Sequence, residues 1–184
     1  MAAVPEHERL PVSEAKAGDP DAWATLFQRY RLPLFTYIMQ MVRHEQTAFD
    51  IVQETMLAAV KHIASLQTDA KFGSWLFGIA HQKCIQQWRK TNREDATLKQ
   101  LETEPAELHD DPGDILIRDE DRAYFFKILN QLPDAQRSAV VLHFLEDFSL
   151  EEIANITGAS IGTVKSRLHY AKKALKKLLQ ESVQ

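Results

Sequence analysis

The side chains with the greatest capacity for chemistry lie between Ser149 and Leu178, in the stretch SLEEIANITGASIGTVKSRLHYAKKALKKL. Lys165, Arg167, Lys172, Lys173, Lys176 and Lys177 crowd its second half, and no acid stands among them. Interleaved with these cations are Ser160, Thr163, Ser166, His169 and Tyr170. The chemistry this set offers is recognition rather than bond cleavage. Lys and Arg neutralise phosphates, and small polar side chains with an arginine fork hydrogen-bond base edges in the DNA major groove. Such a face works only on a helix. Ile161, Val164, Leu168, Ala171, Leu175 and Leu178 recur at three- and four-residue spacing and supply the buried side of one. Upstream, Ser149 with Glu152 forms a capping box for a shorter helix carrying Ile153, Ala154 and Ile156. Gly158 supplies a left-handed turn and Ser160 a second cap. The sum is a helix-turn-helix with a basic second helix.

A second basic stretch, GSWLFGIAHQKCIQQWRKT, runs from Gly73 to Thr91. Trp75, Leu76, Ile79, Ala80, Ile85 and Trp88 give it bulk, and Lys83, Arg89, Lys90 and Arg93 give it charge. Aromatics between cations suit stacking on unpaired bases with phosphate contact. Composition alone favours the plainer assignment, with Trp75 and Trp88 in the core beneath a basic surface.

Catalytic constellations are absent from the pattern. The seven histidines are scattered. His81 and Cys84 share a helix face but have no second ligand pair, so zinc is not expected, nor any cofactor. Glu151 and Glu152 are adjacent and point apart, and there is no glycine-rich phosphate loop. The chain is not expected to be an enzyme.

The elements that must position these faces are helical throughout. The 184 residues suffice for one or two domains, and a single cysteine rules out an internal disulfide framework and suits a cytoplasmic location. No signal peptide or bilayer-spanning run is apparent. Residues 1–11 read as a flexible tail. Helices are expected over Asp21–Val42, kinked by Pro33 near Arg29, and over Ala48–Ser65, capped by Thr47 and burying Ile51, Val52, Met56, Ala59, Val60 and Ile63. Asp50, Gln53, Glu54 and Lys61 mark the opposite face of the latter. Leu66–Phe72 reads as loop. Residues 94–113 are acidic and broken by Pro105, Pro112 and Gly113, and read as a flexible linker that carries most of the excess negative charge behind the net −4. Helices over Ile115–Gln131, with Tyr124 in its apolar set, and over Asp134–Leu145 lead into the helix-turn-helix. The expectation is an all-α chain of two small helical domains, 12–93 and 114–180, joined by the acidic linker. That linker, lying over the basic faces, would weaken DNA binding by the free protein.

The motifs DPDAWATLFQRY (19–30), AFDIVQETMLAAVKHI (48–63), FGSWLFGIAHQKCIQQWRK (72–90) and LNQLPDAQRSAVVLHFLEDFSLEEIANITGASIGTVKSRLHYAKKAL (129–175) resemble, in order and across nearly the whole chain, bacterial RNA polymerase sigma factors of the sigma-70 family, extracytoplasmic-function (ECF) subgroup. The resemblance implies a region 2 bundle and a region 4 helix-turn-helix. It implies that Asp50, Gln53 and Glu54 bind the clamp of core RNA polymerase. Asp69 and Lys71 in the loop, with Gln82, Lys83, Gln86, Arg89 and Lys90 on the next helix, would capture flipped bases of the melted minus-ten element. Gln82 stands where relatives commonly carry Asn, and Gln86 where an acid or amide is usual. Ser160, Thr163, Lys165, Ser166, Arg167, His169, Tyr170, Lys172 and Lys173 would read the minus-thirty-five element as duplex while region 4 rests on the polymerase flap. An anti-sigma factor is an implied partner, with no direct membrane insertion by this chain. Two alternatives remain at this point: a dimeric helix-turn-helix regulator that needs no polymerase, and a protein-interaction module with an acidic partner.

Overall fold

The computed structural model describes residues 10–98 and 120–181, with side-chain detail for 10–91 and 124–180. Among them the chain is helical, without a strand: α1 (Val12–Lys16), α2 (Pro20–Val42), α3 (Glu45–His62), α4 (Phe72–Leu98), α5 (Glu120–Leu129), α6 (Asp134–Val140), α7 (Leu150–Thr157) and α8 (Ile161–Glu181). The remainder of the expected tail and linker, with Ile115 and Leu116, lies outside the described residues.

Local chemistry sets the helix ends. The Asp19 carboxylate accepts the Asp21 amide at 2.9 Å and Pro20 opens α2, where its missing donor is harmless. Pro33 falls inside α2, which runs on to Val42. Arg43 then takes a left-handed conformation (φ 56°), and the chain turns directly into α3. The expected Thr47 cap is displaced: His44 is the cap, its Nδ1 accepting the Thr47 amide at 3.2 Å, and α3 begins at Glu45. An imidazole nitrogen serves as a hydroxyl would, which the usual list of capping residues does not suggest. The helix expected to reach Ser65 ends at His62 and tightens into a 3-10 turn at Ile63–Ser65, while the segment read as loop contains a second 3-10 turn at Asp69–Lys71, and its last residue, Phe72, is buried at the start of α4. Helix α4 continues through Leu98, past the expected end at Thr91. Helix α6 passes into a π-helical turn at Val141–Leu145 rather than remaining one α-helix.

Helices α2, α3 and α4 bury Leu26, Leu34, Ile38, Ile51, Leu76, Phe77 and Ala80. Each fully buried Leu or Phe contributes about 1.5–3 kcal/mol. Gly73 allows the start of α4 to approach α2 closely, since a Cβ there would stand 3.1 Å from the Tyr30 hydroxyl. Helices α6, α7 and α8 close around Val140, Leu142, Ile153, Ile156, Val164, Leu168 and Ala171. These two clusters are continuous: α4 packs on α7 and α2 on α6, and Phe77 meets Phe148 edge-on with ring centroids 5.0 Å apart.

Candidate nucleic-acid and polymerase interface

The turn of the helix-turn-helix is built as its residues demand. Ser149 Oγ accepts the Glu152 amide at 3.2 Å, while the Glu152 carboxylate accepts the Ser149 amide at 2.9 Å. Gly158 sits at φ 65° and ends α7. Ser160 Oγ accepts the Thr163 amide at 3.1 Å and lies 2.9 Å from the Thr163 hydroxyl, so both small polar residues are first of all capping residues of α8. Lys165, Ser166, His169, Tyr170, Lys172 and Lys173 are exposed along α8, over buried Val164, Leu168 and Ala171. Ile161, expected on the apolar side, is instead exposed at the helix mouth, and Tyr124 on α5 is exposed likewise. Lys172 Nζ lies 5.2 Å from the centroid of the Phe144 ring. Arg167 is half-buried and turns the other way, toward α4.

On α4 the residues Gln82, Gln86, Arg89 and Lys90 are exposed. Trp88 is 55% exposed and Trp75 is half-buried with its ring 5.9 Å from that of Phe72. The two tryptophans therefore divide: Trp75 packs against the core, whereas Trp88 leaves its ring available beside Arg89. Lys83 donates to the Glu54 carboxylate at 2.8 Å, which joins a residue expected on DNA to one expected on polymerase. Lys71 is exposed. Asp69 is tied down instead, accepting from Ser13 Oγ at 2.6 Å and from Lys16 Nζ at 2.6 Å, and Lys16 also donates to the Leu66 carbonyl at 2.8 Å. Helix α1 thus braces the loop that precedes α4.

Asp50, Gln53 and Glu54 are exposed on α3, Asp50 accepting from Gln46 at 3.2 Å. Val60, expected in the core, is 45% exposed, and Leu57 beside it is 65% exposed. Gln53, Leu57 and Val60 follow one another at four- and three-residue spacing, so they form one apolar-edged stripe. The sequence reading places Val60 in the core and gives Leu57 no role. Leu57 fell outside the periodic buried set, and that was the available signal.

The two basic helices come together at one cleft of about 380 Å³, lined among others by His81, Gln82, Trp88, Arg89 and Arg167. His81 is buried, with Nδ1 2.7 Å from the Tyr37 hydroxyl. Burial, and secondarily the Arg167 charge, push its pKa down to about 4, so it is neutral at physiological pH. Burial pushes the Cys84 thiol up to about 12, which leaves it protonated and unreactive. Among the described residues no group of three or more His, Cys, Asp or Glu side chains is placed to hold a metal ion, and no helix is long and apolar enough to cross a membrane.

Comparison with known proteins settles the family. The model for Sigma-70 region 2 matches residues 26–94, and that for Sigma-70 region 4 matches residues 122–175. The ECF RNA polymerase sigma factor SigW of Bacillus subtilis is 30% identical over 178 residues, covering 92% of this chain and 95% of the relative. This chain belongs to the ECF sigma factors of the sigma-70 family. The RNA polymerase sigma-H factor of Pseudomonas aeruginosa is 29% identical over 183 residues, 95% of each chain. Among solved structures, the sigma factor RpoE from Bartonella quintana, in complex with the anti-sigma factor NepR, matches at a TM-score of 0.66 and 30% identity over 85% of this chain and 97% of that one. CnrH, solved with the cytosolic domain of CnrY, has the same fold at a TM-score of 0.67 and 23% identity, covering 92% of this chain and 95% of that one. As a sigma factor, the chain acts in transcription initiation with RNA polymerase at promoter DNA. Similarity running the length of both regions does not favour a stand-alone helix-turn-helix regulator.

Proposed function

We propose that this sigma factor divides promoter reading between two modules, region 2 at 12–93 and region 4 at 114–180, tethered by the acidic segment 94–113. Exposed polar and apolar residues of α3, namely Asp50, Gln53 and Glu54 with Leu57 and Val60, dock on the polymerase clamp. The apolar pair supplies the desolvated centre that a charged face lacks. Helix α4 takes the melted minus-ten strand, with Trp88 as the stacking platform, Gln82 and Gln86 on base edges, and Arg89 and Lys90 on phosphates. Lys83 joins them once its pairing with Glu54 is exchanged for a phosphate, and Lys71 flanks the same surface, while Asp69 acts by bracing the loop. Helix α8 reads the minus-thirty-five duplex through Ser166, His169 and Tyr170, joined by Arg167 once its side chain swings away from α4. Lys165, Lys172 and Lys173 serve the backbone, and Ser160 and Thr163 hold the helix start in register. Region 4 rests on the polymerase flap.

The chain contributes no catalysis of its own and works in the cytoplasm, where polymerase and DNA are. An anti-sigma factor is a fitting partner, because the solved relative with 30% identity was captured with one. The observation that carries the reading is the exposed cationic face of α8 over a capped glycine turn, combined with the exposed Trp88–Arg89–Lys90 end of α4. Run-off transcription on a promoter library, with core enzyme in the presence and absence of the protein, is the test. New promoter-specific transcripts are expected only with both. Tight duplex binding by the free protein, without any gain in transcripts, would refute the proposal.

A further inference from the structure

The cleft bordered by α4, α6 and α8 has the chemistry of an anion site. Its volume of about 380 Å³ falls within the ~300–1,000 Å³ of small-ligand pockets. Arg89 of α4 and Arg167 of α8 both line it, and neither has a carboxylate partner among the described residues. The one acid on its wall, Asp134, is already engaged: it accepts from Arg137 Nη2 and lies 3.9 Å from Arg43 Nη2. Two guanidinium groups thus share a confined space with no charge to offset them, and a bound phosphate would accept charge-assisted hydrogen bonds from both.

His81 supplies a third donor. It is buried except where it borders the cleft. The Tyr37 phenol, a stronger acid than neutral imidazole, donates to His81 Nδ1 at 2.7 Å and accepts from the Ser138 hydroxyl at 2.9 Å. The ring proton is therefore on Nε2, which has no partner among the described residues. The wall behind these donors is fixed. Fully buried Arg137 donates through Nε to the Gln40 carbonyl at 2.6 Å and through Nη1 to the Leu132 carbonyl at 3.0 Å. Donors held in place before the ligand arrives cost little to organise. The remaining wall suits a flat, hydrogen-bonding group: Trp88, 55% exposed, offers a ring face, and Gln82 an amide. We propose that this cleft binds a mononucleotide, its phosphate held by Arg89, Arg167 and His81 and its base stacked on Trp88 beside Gln82, and that an occupied cleft restrains promoter binding. The site stands on the geometry of the cleft. The restraint rests on the function proposed above, because Gln82, Trp88, Arg89 and Arg167 are the residues assigned there to promoter DNA.

Isothermal titration calorimetry of the full chain with adenosine and guanosine 5′-monophosphates tests the site, and one ligand per chain is expected. Adenosine, which lacks the phosphate, and inorganic phosphate, which lacks the base, should each bind at least roughly tenfold more weakly. Ala135 also lines the cleft, exposed in the first turn of α6, where an acid suits the helix. Ala135→Glu should therefore keep its helical circular dichroism while weakening nucleotide binding by roughly tenfold or more. Ala135→Gln, of the same size without the charge, should bind several-fold better than Ala135→Glu. If Ala135→Glu loses helicity, Arg167→Ala decides. Promoter complexes of the holoenzyme, measured by filter binding without nucleoside triphosphates, should need roughly tenfold more sigma factor when the nucleotide is at ten times its dissociation constant, and no more than usual with Ala135→Glu. The proposal is overturned by no saturable binding of either nucleotide, by equal binding of adenosine or inorganic phosphate, by undiminished binding to Ala135→Glu, or by a saturated cleft with no loss of promoter complexes. Failure of the wild type to form promoter complexes without nucleotide would instead count against the function itself, leaving calorimetry to judge the site alone.

Discussion

Two buried ionisable groups act on stability in opposite directions, and their near-cancellation can be unmasked by mutation. His81 has its pKa lowered to about 4 by burial and by Arg167. The unfolded chain takes up this proton near the ordinary value of 6.5, well before the folded chain does, so stability is intact above pH 6.5 and falls as pH drops toward 4. Glu146 behaves inversely. One of its carboxylate oxygens is buried without a partner, and burial, with Asp147 next to it, raises its pKa to about 7. The folded chain holds this proton where the unfolded chain, near 4.5, has lost it, so stability is highest below pH 4.5 and falls as pH climbs toward 7. Each shift spans about 2.5 units and, at 1.36 kcal/mol per unit and allowing for partial titration at the ends, is worth about 3 kcal/mol between pH 4 and pH 7. In the wild type the two contributions oppose each other over that window. Glu146→Gln removes the second alone, so relative to wild type it should gain about 3 kcal/mol at pH 7 and almost nothing at pH 4. His81→Gln removes the first alone and should lose its relative disadvantage as the pH falls. Urea unfolding at half-unit steps from pH 4 to pH 7, followed by circular dichroism, measures the differences directly. Variant-minus-wild-type curves that stay parallel to the pH axis would refute the linkage for both groups.

Other expectations concern recognition and the turn. Arg167→Ala should cost about 1–3 kcal/mol of discrimination at one base pair of the minus-thirty-five element, measured by competition binding of the polymerase holoenzyme. Lys172→Ala should weaken binding to all sequences alike and reduce the salt slope by about one unit, and a changed sequence preference would show that the two flanks of α8 are wrongly assigned. Gly158→Ala places a Cβ in the left-handed conformation at φ 65°, and should lower stability by about 1 kcal/mol in urea unfolding. Leu57→Glu, on an exposed position, should leave stability unchanged while weakening co-purification with core enzyme by at least tenfold. Deletion of Glu102–Asp111 should raise the affinity of the free protein for DNA at low salt, and an unaltered affinity would remove the linker from any inhibitory role.

The helix-turn-helix was legible because each of its parts is local. A capping box needs residues three apart, a left-handed turn needs a glycine, and an amphipathic helix shows its period within a dozen positions. Ser149, Glu152, Gly158, Val164, Leu168 and Ala171 are all found in the roles those rules assign. Departures occur where a residue answers to a distant partner. Asp69 is held by Ser13 and Lys16, more than fifty positions away, and Lys83 by Glu54, so neither charge could be assigned from its own neighbourhood. Val60 and Leu57 show the converse, apolar side chains that stay exposed on α3 among the described residues. His44 replaces Thr47 as a cap because imidazole can accept a hydrogen bond, a capacity that depends on protonation and is invisible in a list of favoured capping residues.

Ser138 and Arg137 are the most instructive of these departures. In a helix read as apolar by period, a serine and an arginine look like its solvent side, yet both are fully buried. An apolar junction of the same size would be hard to part, because opening would expose hydrophobic area to water at a cost that grows with every square ångström. The junction here combines both kinds of contact: the packing of α4 on α7, with Phe77 against Phe148, supplies apolar burial, and Tyr37–Ser138 and Arg137–Gln40 fix its register. The polar groups exclude competing arrangements, because a slipped register would strand the Arg137 guanidinium without its carbonyls.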